Sequence, residues 1–530
     1  MEKTRIPEHR TEREDGMGLN EKLSRDRVWG YLHNENGRIV NGRGEEILLL
    51  GMGIGNWLLP EGYMWRFGGP YNRPHKIGRL VRDLCGTEYA IRFWREFREN
   101  YVTEADVRAM AEYGFNSVRL PVNWRVVMED EPGIHWRPGG FRLIDRFIDW
   151  CEKWKLYVIL DLHGAPGGQT GHNIDDSLDD IPRLFTDTES DSREKTIALW
   201  QEFARRYRDR WIVGMYDLLN EPVRTPMEGT KELPDLSEEL KRFYRDCVAA
   251  VRKLDGRHMF SLESVFWASR ADFFTERFDD NACAHFHRYW CTPDRSVLEG
   301  FLEVRERLGM PLFLGETGEN TEDWFAAMYP LALSLDIGVN VWPWKKLETD
   351  NSGCSVKAPA EWDWIRGYTM GGDRPSYERA QRIFDEYLEN IRYENCVKLP
   401  RVAASITRAP GCAFRACDCA ACSGDVSRVD GEGNPAVKWE GTLLRFGPDG
   451  EASWNLYADG RAQGVLKLTA DFGSSALEIR ADGETLLRTS VSGERTLTVP
   501  VPKNEAFTLG IQCVRGGFTL ERIGWEKESE

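Results

Sequence analysis

Two patterns predict the fold class, which is α/β: a (β/α)8 barrel of the TIM type followed by a C-terminal all-β, jelly-roll-like sandwich. Between residues 48 and 344, eight short apolar runs alternate with long stretches whose apolar residues recur at i, i+3, i+4 and i+7, the period of a helix packed on one face. Past residue 400 that period stops, and short strands separated by Gly and Asp turns replace it. A chain of 530 residues also exceeds what one core usually fills, so two domains are expected.

In chain order, residues 1–28 are a polar leader without the apolar segment of a secretion signal. The sequence as written therefore reads as cytoplasmic, and as secreted only where such a segment has been removed. Residues 29–46 carry Asn-Gly and Gly-Arg-Gly turns, which predicts a β-hairpin at the barrel bottom. The eight barrel strands are expected at 48–58, 116–122, 157–164, 212–222, 258–264, 283–289, 311–318 and 338–344. The connection at 59–102 is long and rich in Gly, Pro and aromatics, and is expected to cover part of the barrel mouth. The barrel domain spans 29–399, and the boundary at Leu399-Pro400 opens a sandwich at 400–530.

Composition excludes several partners. With 70 Lys+Arg against 86 Asp+Glu the net charge is −16, which opposes nucleic acid and anionic membrane surfaces alike. No run reaches the ~20 apolar residues of a membrane span. Of 12 cysteines, Cys412, Cys417, Cys419 and Cys422 are crowded together. Buried thiols, disulfides and a zinc site all fit that spacing, and the shared face of Cys417 and Cys419 favours buried thiols.

In such a barrel, reacting groups project from the C-terminal strand ends, and nearly every run here ends in polar residues. The second supplies Arg119, the third Asp161 and His163, the fourth Asn220 and Glu221. The sixth supplies His285, His287 and Tyr289, the seventh Glu316, the eighth Trp342 and Trp344. Glu221 and Glu316 face one another across the ring, which is the equipment for glycoside hydrolysis. Asn220 suits a sugar 2-hydroxyl, Arg119 and Tyr289 suit holding a nucleophile ionised, and Trp342 suits stacking on a sugar face. His285 and His287 share a parity. For Trp344, core packing and a sugar platform stay open, and Glu319 fits a loop surface better than chemistry. Of the 20 Trp, Trp57, Trp65, Trp124, Trp342 and Trp344 all fall at or just past strand ends, where a saccharide site would use them.

The arrangement resembles glycoside hydrolase family 5. Asn220-Glu221-Pro222 and Gly315-Glu316 match its acid/base and nucleophile motifs. Arg119 in NSVRLP, His163 in LDLHGAPGGQ, His287-x-Tyr289 and Trp342 match the remaining positions in order. GNWLLPEGYMW and LDLHGAPGGQTGHNIDDS are most similar to the exo-β-glucanase and β-glucosidase branch, where acidic residues after the first and third strands enclose a terminal glucose. The resemblance implies Glu61 for the first, and Asp175 or Asp176 for the second. It further implies double displacement with retention, Glu316 as nucleophile and Glu221 as acid/base, an oligo- or polysaccharide partner, and neither metal nor organic cofactor. Endo-glucanase, mannanase, xylanase or glycoside-conjugate specificity on the same machinery remains an alternative, as does a silent carbohydrate-binding protein. The closing ERIGW strand resembles a carbohydrate-binding module; packing against the barrel is the other role open to that domain.

Overall fold

The computed structural model describes residues 18–226, 232–430, 442–457, 464–501 and 506–527, so most of the leader at 1–28 lies outside the described residues. Its last part is not free chain: Leu23 and Val28 are buried in the barrel core, and Lys22 pairs with both Glu46 and Asp336 at 2.9 Å. A hairpin of β1 (His33–Glu35) and β2 (Arg38–Val40) turns through Asn36 and Gly37, both at positive φ, the conformation an Asn-Gly turn favours. Asn34 ties it to the N-terminal ends of two barrel strands, accepted by Gly309 O and held by Asn281 Oδ1 at 2.9 Å each.

The barrel is closed and parallel. Its strands are β3 (Leu50–Gly53), β4 (Ser117–Asn123), β5 (Tyr157–Gly164), β6 (Val213–Asp217), β7 (Met259–Glu263), β8 (Ala282–Arg288), β9 (Leu312–Gly318) and β10 (Gly338–Trp342), with β10 paired back onto β3. Two runs are shorter than the sequence suggests. The first stops pairing at Gly53. The fourth stops at Asp217, leaving Asn220 and Glu221 on the loop beyond it. The connection at 59–102 sends only Glu61 to Tyr63 to the mouth. The rest forms helices Pro74–Cys85 and Thr87–Asn100, which pack beside helix Tyr377–Asn390 on the barrel's outside.

A small sheet of β11 (Lys345–Leu347), β12 (Cys354–Val356) and β13 (Val397–Lys398) and the helix Pro400–Thr407 lead to the second domain. It is an antiparallel all-β unit: β14 (Cys412–Arg415), β15 (Ala421–Ser423), β16 (Val426–Asp430), β17 (Thr442–Phe446), β18 (Glu451–Leu456), β19 (Gly464–Ala481), β20 (Glu484–Val501), β21 (Phe507–Arg515) and β22 (Phe518–Lys527). The long β19 binds these into one hydrogen-bonded network. Its first half pairs with β22, its second half with β21, and the register shifts between them near Asp471 to Ser474. The bend folds the network over its own core, so that Phe507 of β21 meets Trp525 of β22 edge to face at 5.3 Å.

This domain packs on the helix Glu322–Ser334, which follows the strand bearing Glu316. Arg522 makes two hydrogen bonds to Asp323 at 2.6 and 2.8 Å, and Arg408 Nε donates to Ala326 O at 2.7 Å. All 12 cysteines are free thiols, so the disulfide reading of the cluster is not realised; Cys412 and Cys417 are buried in the domain. Among the described residues, no helix is long and apolar enough to cross a membrane.

Candidate active site

The centre of the site is Arg119, fully buried on the inner side of β4. A bare guanidinium there would be prohibitively costly, and four carboxylates compensate it. Nε donates to Asp217 at 2.8 Å, Nη1 to Glu316 at 2.6 Å and Nη2 to Glu263 at 2.9 Å, while Asp161 lies 3.1 Å away and Asn220 Oδ1 accepts at 2.8 Å. Asp217 and Glu263 were not singled out by the motif reading. Glu263 carries a legible signal, an acidic residue at the end of an apolar run as Glu316 is, whereas Asp217 lies inside the run at 212–222.

Glu316 also accepts from the Tyr289 hydroxyl at 2.8 Å. Burial alone would raise its pKa, but the positive charges of His287 and Arg119 outweigh burial and hold Glu316 below the usual carboxylate range. Glu221 has no such cation pair. Burial raises it, the hydrogen bond from His287 Nδ1 at 2.7 Å opposes this, and the negative charges of Glu316 and Glu263 add to the rise, which reaches about 7. The two side chains remain 7% and 6% exposed, enough to meet a ligand, whereas Glu263 is sealed. An oxygen of Glu221 and one of Glu316 lie within 4.8 Å of each other.

Glu221 sits at φ 41°, and Val223 at φ 59°, a left-handed conformation that costs a branched side chain ~1–2 kcal/mol. Neighbouring loops offset it. Glu221 N–H donates to Glu263 Oε2 at 2.6 Å, Thr170 donates to Glu221 O at 2.6 Å, and Gln169 donates to Asn220 O at 2.9 Å. The acid thus projects over the mouth from a turn clamped on both sides.

His163 donates or accepts at Asp161 (2.7 Å) and lies flat against Trp342, with ring centroids 5.3 Å apart and planes 4° from parallel. Burial pushes His163 down to about 3, so its imidazole is neutral. Gly53 makes room for this indole: a Cβ there would come 2.5 Å from Trp342. Trp342 Nε1 donates to the Tyr63 hydroxyl at 2.9 Å, Tyr63 reaches Glu319 at 3.3 Å, and Lys346 pairs with Glu319 at 2.6 Å. Glu319 is therefore part of the wall. Glu61 is buried beside these groups with no protein hydrogen-bond partner among the described residues, and burial together with Glu316 and Glu221 raises its pKa well above the ordinary range.

Several expected site residues lie elsewhere. Trp344 is core: it donates to Asp106 at 2.9 Å and stacks on Tyr393. Asp175 spends its carboxylate on the backbone N–H groups of Thr170, Gly171 and Ser177, shaping the third loop from inside. Asp176 is consumed by His75, Asn123 and Arg125, so neither acid is presented to a ligand. Trp57 donates to Arg98 O, Trp65 stacks among Phe97, Trp362 and Tyr387, and Trp124 lies under Arg125; of the five tryptophans only Trp342 reaches the mouth.

Two trios, Glu221/His287/Glu316 and Glu263/His285/His287, have ligand atoms close enough to hold a metal ion. The Arg119 guanidinium already supplies positive charge to Glu263 and Glu316, which is the function an ion would have there.

Residues 84–347 match the sequence model of the cellulase family, glycosyl hydrolase family 5. A β-xylosidase of Phanerodontia chrysosporium is 32% identical over 262 residues, 49% of this chain and 52% of that protein. Endoglucanase C of Acetivibrio thermocellus is 31% identical over 163 residues, 31% of this chain and 42% of that one. The chain thus spans about half the length of the curated relatives it matches. A solved endogalactoceramidase is 17% identical with a TM-score of 0.46 over 93% of this chain and 99% of its own. With the family match lying on the closed barrel and covering both mouth carboxylates, the barrel of this chain belongs to the cellulase family, glycosyl hydrolase family 5.

Proposed function

We propose that the protein is a retaining β-glycoside hydrolase that removes a terminal, glucose-type residue from a β-linked oligosaccharide or glycoside. One observation carries the reading: two carboxyls with oxygens within 4.8 Å of each other, one held ionised by Arg119 and His287, the other kept protonated to about 7. An approach of nearest oxygens within 4.8 Å supports the close pairing of retaining enzymes, with carboxyls ~5–5.5 Å apart, over the ~6.5–9.5 Å of inverting ones.

Glu316 attacks the anomeric carbon while the proton of Glu221 passes to the departing oxygen, so the glycosidic bond breaks as an ester to Glu316 forms. Glu221, now a carboxylate, takes a proton from water as that water attacks the anomeric carbon and releases Glu316. Arg119 and the Tyr289 hydroxyl receive the charge that returns to Glu316. Asn220, aligned by Arg119, faces the 2-hydroxyl, and the Trp342 face meets the sugar's C–H face. Removal of a terminal residue is favoured by the wall of Glu61, Tyr63, Glu319 and Lys346 on the side of β3, β9 and β10. Relatives named β-xylosidase and endoglucanase support β-linkage as the class. The second domain serves as a brace on the helix behind the nucleophile strand.

Glu316→Ala, assayed on an aryl β-glucoside with and without azide, tests this. Loss of at least ~10³-fold in turnover, restored by azide as an α-glycosyl azide, is expected. Near wild-type turnover without azide rejects the nucleophile assignment.

A further inference from the structure

Beneath the acid/base lies a second histidine that the reaction scheme does not use. His285 and His287 meet through their Nε2 atoms at 3.1 Å, and a contact between two imidazole nitrogens holds one hydrogen, so one ring donates and the other accepts. The surroundings decide which. His287 Nδ1 faces the Glu221 carboxyl at 2.7 Å. His285 Nδ1 faces the Ser261 hydroxyl at 2.8 Å, which can donate or accept, and at 3.4 Å the Asp217 carboxylate held by Arg119, which can only accept; the carboxylate favours a hydrogen on that nitrogen and so leaves the Nε2 lone pair free. Glu263 Oε1 lies 3.5 Å from both Nε2 atoms and is anchored by Arg119, while its Oε2 takes the Glu221 N–H. His285, Ser261, Asp217, Glu263 and Arg119 are sealed from solvent. Gly315, next to the nucleophile, is where His285 needs space: a Cβ there would sit 2.0 Å from His285 Nε2.

We propose that His285 and Glu263 are positioning residues for the acid/base: His285 accepts from His287 Nε2–H and Glu263 balances the ring's positive charge, so that His287 is a donor at both nitrogens and keeps its Nδ1–H aimed at Glu221 throughout the cycle. The inference rests on the assignment of Glu221 as acid/base. The charged and titratable groups facing His287 are Glu221, Glu263, Glu316, His163 and His285, with Arg119 and Asp217 one contact further. Among them Glu263 and Glu316 overcome burial and raise His287 well above an ordinary histidine. An imidazolium opposes protonation of Glu221, and its hydrogen bond stabilises the carboxylate that exists after the leaving group is protonated. Without the acceptor beneath it, His287 gives up its charge, and Glu221 holds its proton more tightly.

The test is the pH profile of kcat/KM for His285→Phe and Glu263→Gln on an aryl β-glucoside, together with azide rescue of Glu221→Ala on the same substrate. The expected result is a basic limb moved upward by at least half a pH unit in His285→Phe and by less in Glu263→Gln, which also removes a negative charge that raises Glu221, with kcat on a good leaving group, where water attack limits, reduced at least tenfold in both, while His285→Gln, which keeps an acceptor, restores part of the limb. Imidazole ¹⁵N resonances of the wild-type protein give a measurement independent of any variant's folding: two N–H groups on His287 and one, at Nδ1, on His285 are expected. A basic limb unmoved in both variants, or a hydrogen found on His285 Nε2, overturns the proposal. Azide failing to rescue Glu221→Ala instead rejects the acid/base assignment on which it stands.

Discussion

Arg119 Nη1 donates to Glu316 Oε2 at 2.6 Å, joining the second barrel strand to the seventh through the centre of the mouth. The same guanidinium holds Asp161, Asp217 and Glu263, so its removal leaves four buried carboxylates without their cation. Arg119→Met is expected to lose ~3–5 kcal/mol of stability in urea unfolding, because a half-broken buried pair costs more than the intact pair contributes. The acid limb of kcat/KM moves upward at the same time, since Glu316 loses the charge that depresses it. An unshifted limb separates a purely structural Arg119 from one that tunes the nucleophile.

Glu221 gives a stability prediction with a definite sign. Its folded pKa of about 7 lies above the unfolded value of ~4.3, so both states are protonated at low pH, and between those values the folded state keeps a proton that the unfolded state has released. Stability is therefore lost as pH rises from ~4.3 through about 7. Glu221→Gln, which still accepts from His287, should be ~1–3 kcal/mol more stable relative to wild type at pH 8 than at pH 4, while activity falls at least ~10³-fold on poor leaving groups. Thermal melts at the two pH values measure it. In the wild type, the requirement for protonated Glu221 makes activity decline above about pH 7.

Trp342 and Trp344 stand two residues apart and separate binding from packing. Trp342→Ala should raise KM roughly tenfold with a modest change in Tm, because in the proposed scheme the indole, held flat by His163 on one face, meets the sugar with its other face. Trp344→Phe should lower stability by ~1–3 kcal/mol, from the lost hydrogen bond to Asp106 and the cavity, and leave KM unchanged. Parallel Tm and KM measurements on the pair check both.

Glu61 is a buried carboxyl with no protein partner among the described residues, beside two other acids. Glu61→Gln is expected to melt no lower than wild type and higher at pH 8. The kcat/KM for terminal β-glucosides should drop roughly tenfold, because an amide cannot reproduce the carboxyl's pattern of donor and acceptor toward sugar hydroxyls. Unchanged kcat/KM on a gluco-oligosaccharide panel, or internal cleavage of those chains, removes Glu61 and the closed wall from the specificity scheme.

The ends of six apolar runs were enough to bring Arg119, His163, Asn220, Glu221, His287, Tyr289, Glu316 and Trp342 to one mouth, because the direction of a parallel barrel sets which end such residues occupy, even where Asn220, Glu221 and Tyr289 lie just past their strands. Spacing alone also pointed to a C-terminal all-β unit, although its first strand, β14, comes only after the helix Pro400–Thr407, which packs with the barrel core. What it misplaced were residues on long connections. Asp175, Asp176, Trp57, Trp65 and Trp344 follow strand ends in sequence, yet backbone N–H groups, Arg125 or the core claim them in space. A loop carries no periodicity that fixes its direction, so its side chains go where hydrogen bonds and burial are satisfied. Only the closed tertiary arrangement decided that Glu319 and Lys346 complete the wall at Tyr63, that Asp217 and Glu263 share one arginine, and that the proton on Glu221 and the charge on Glu316 are set by neighbours from five different strands.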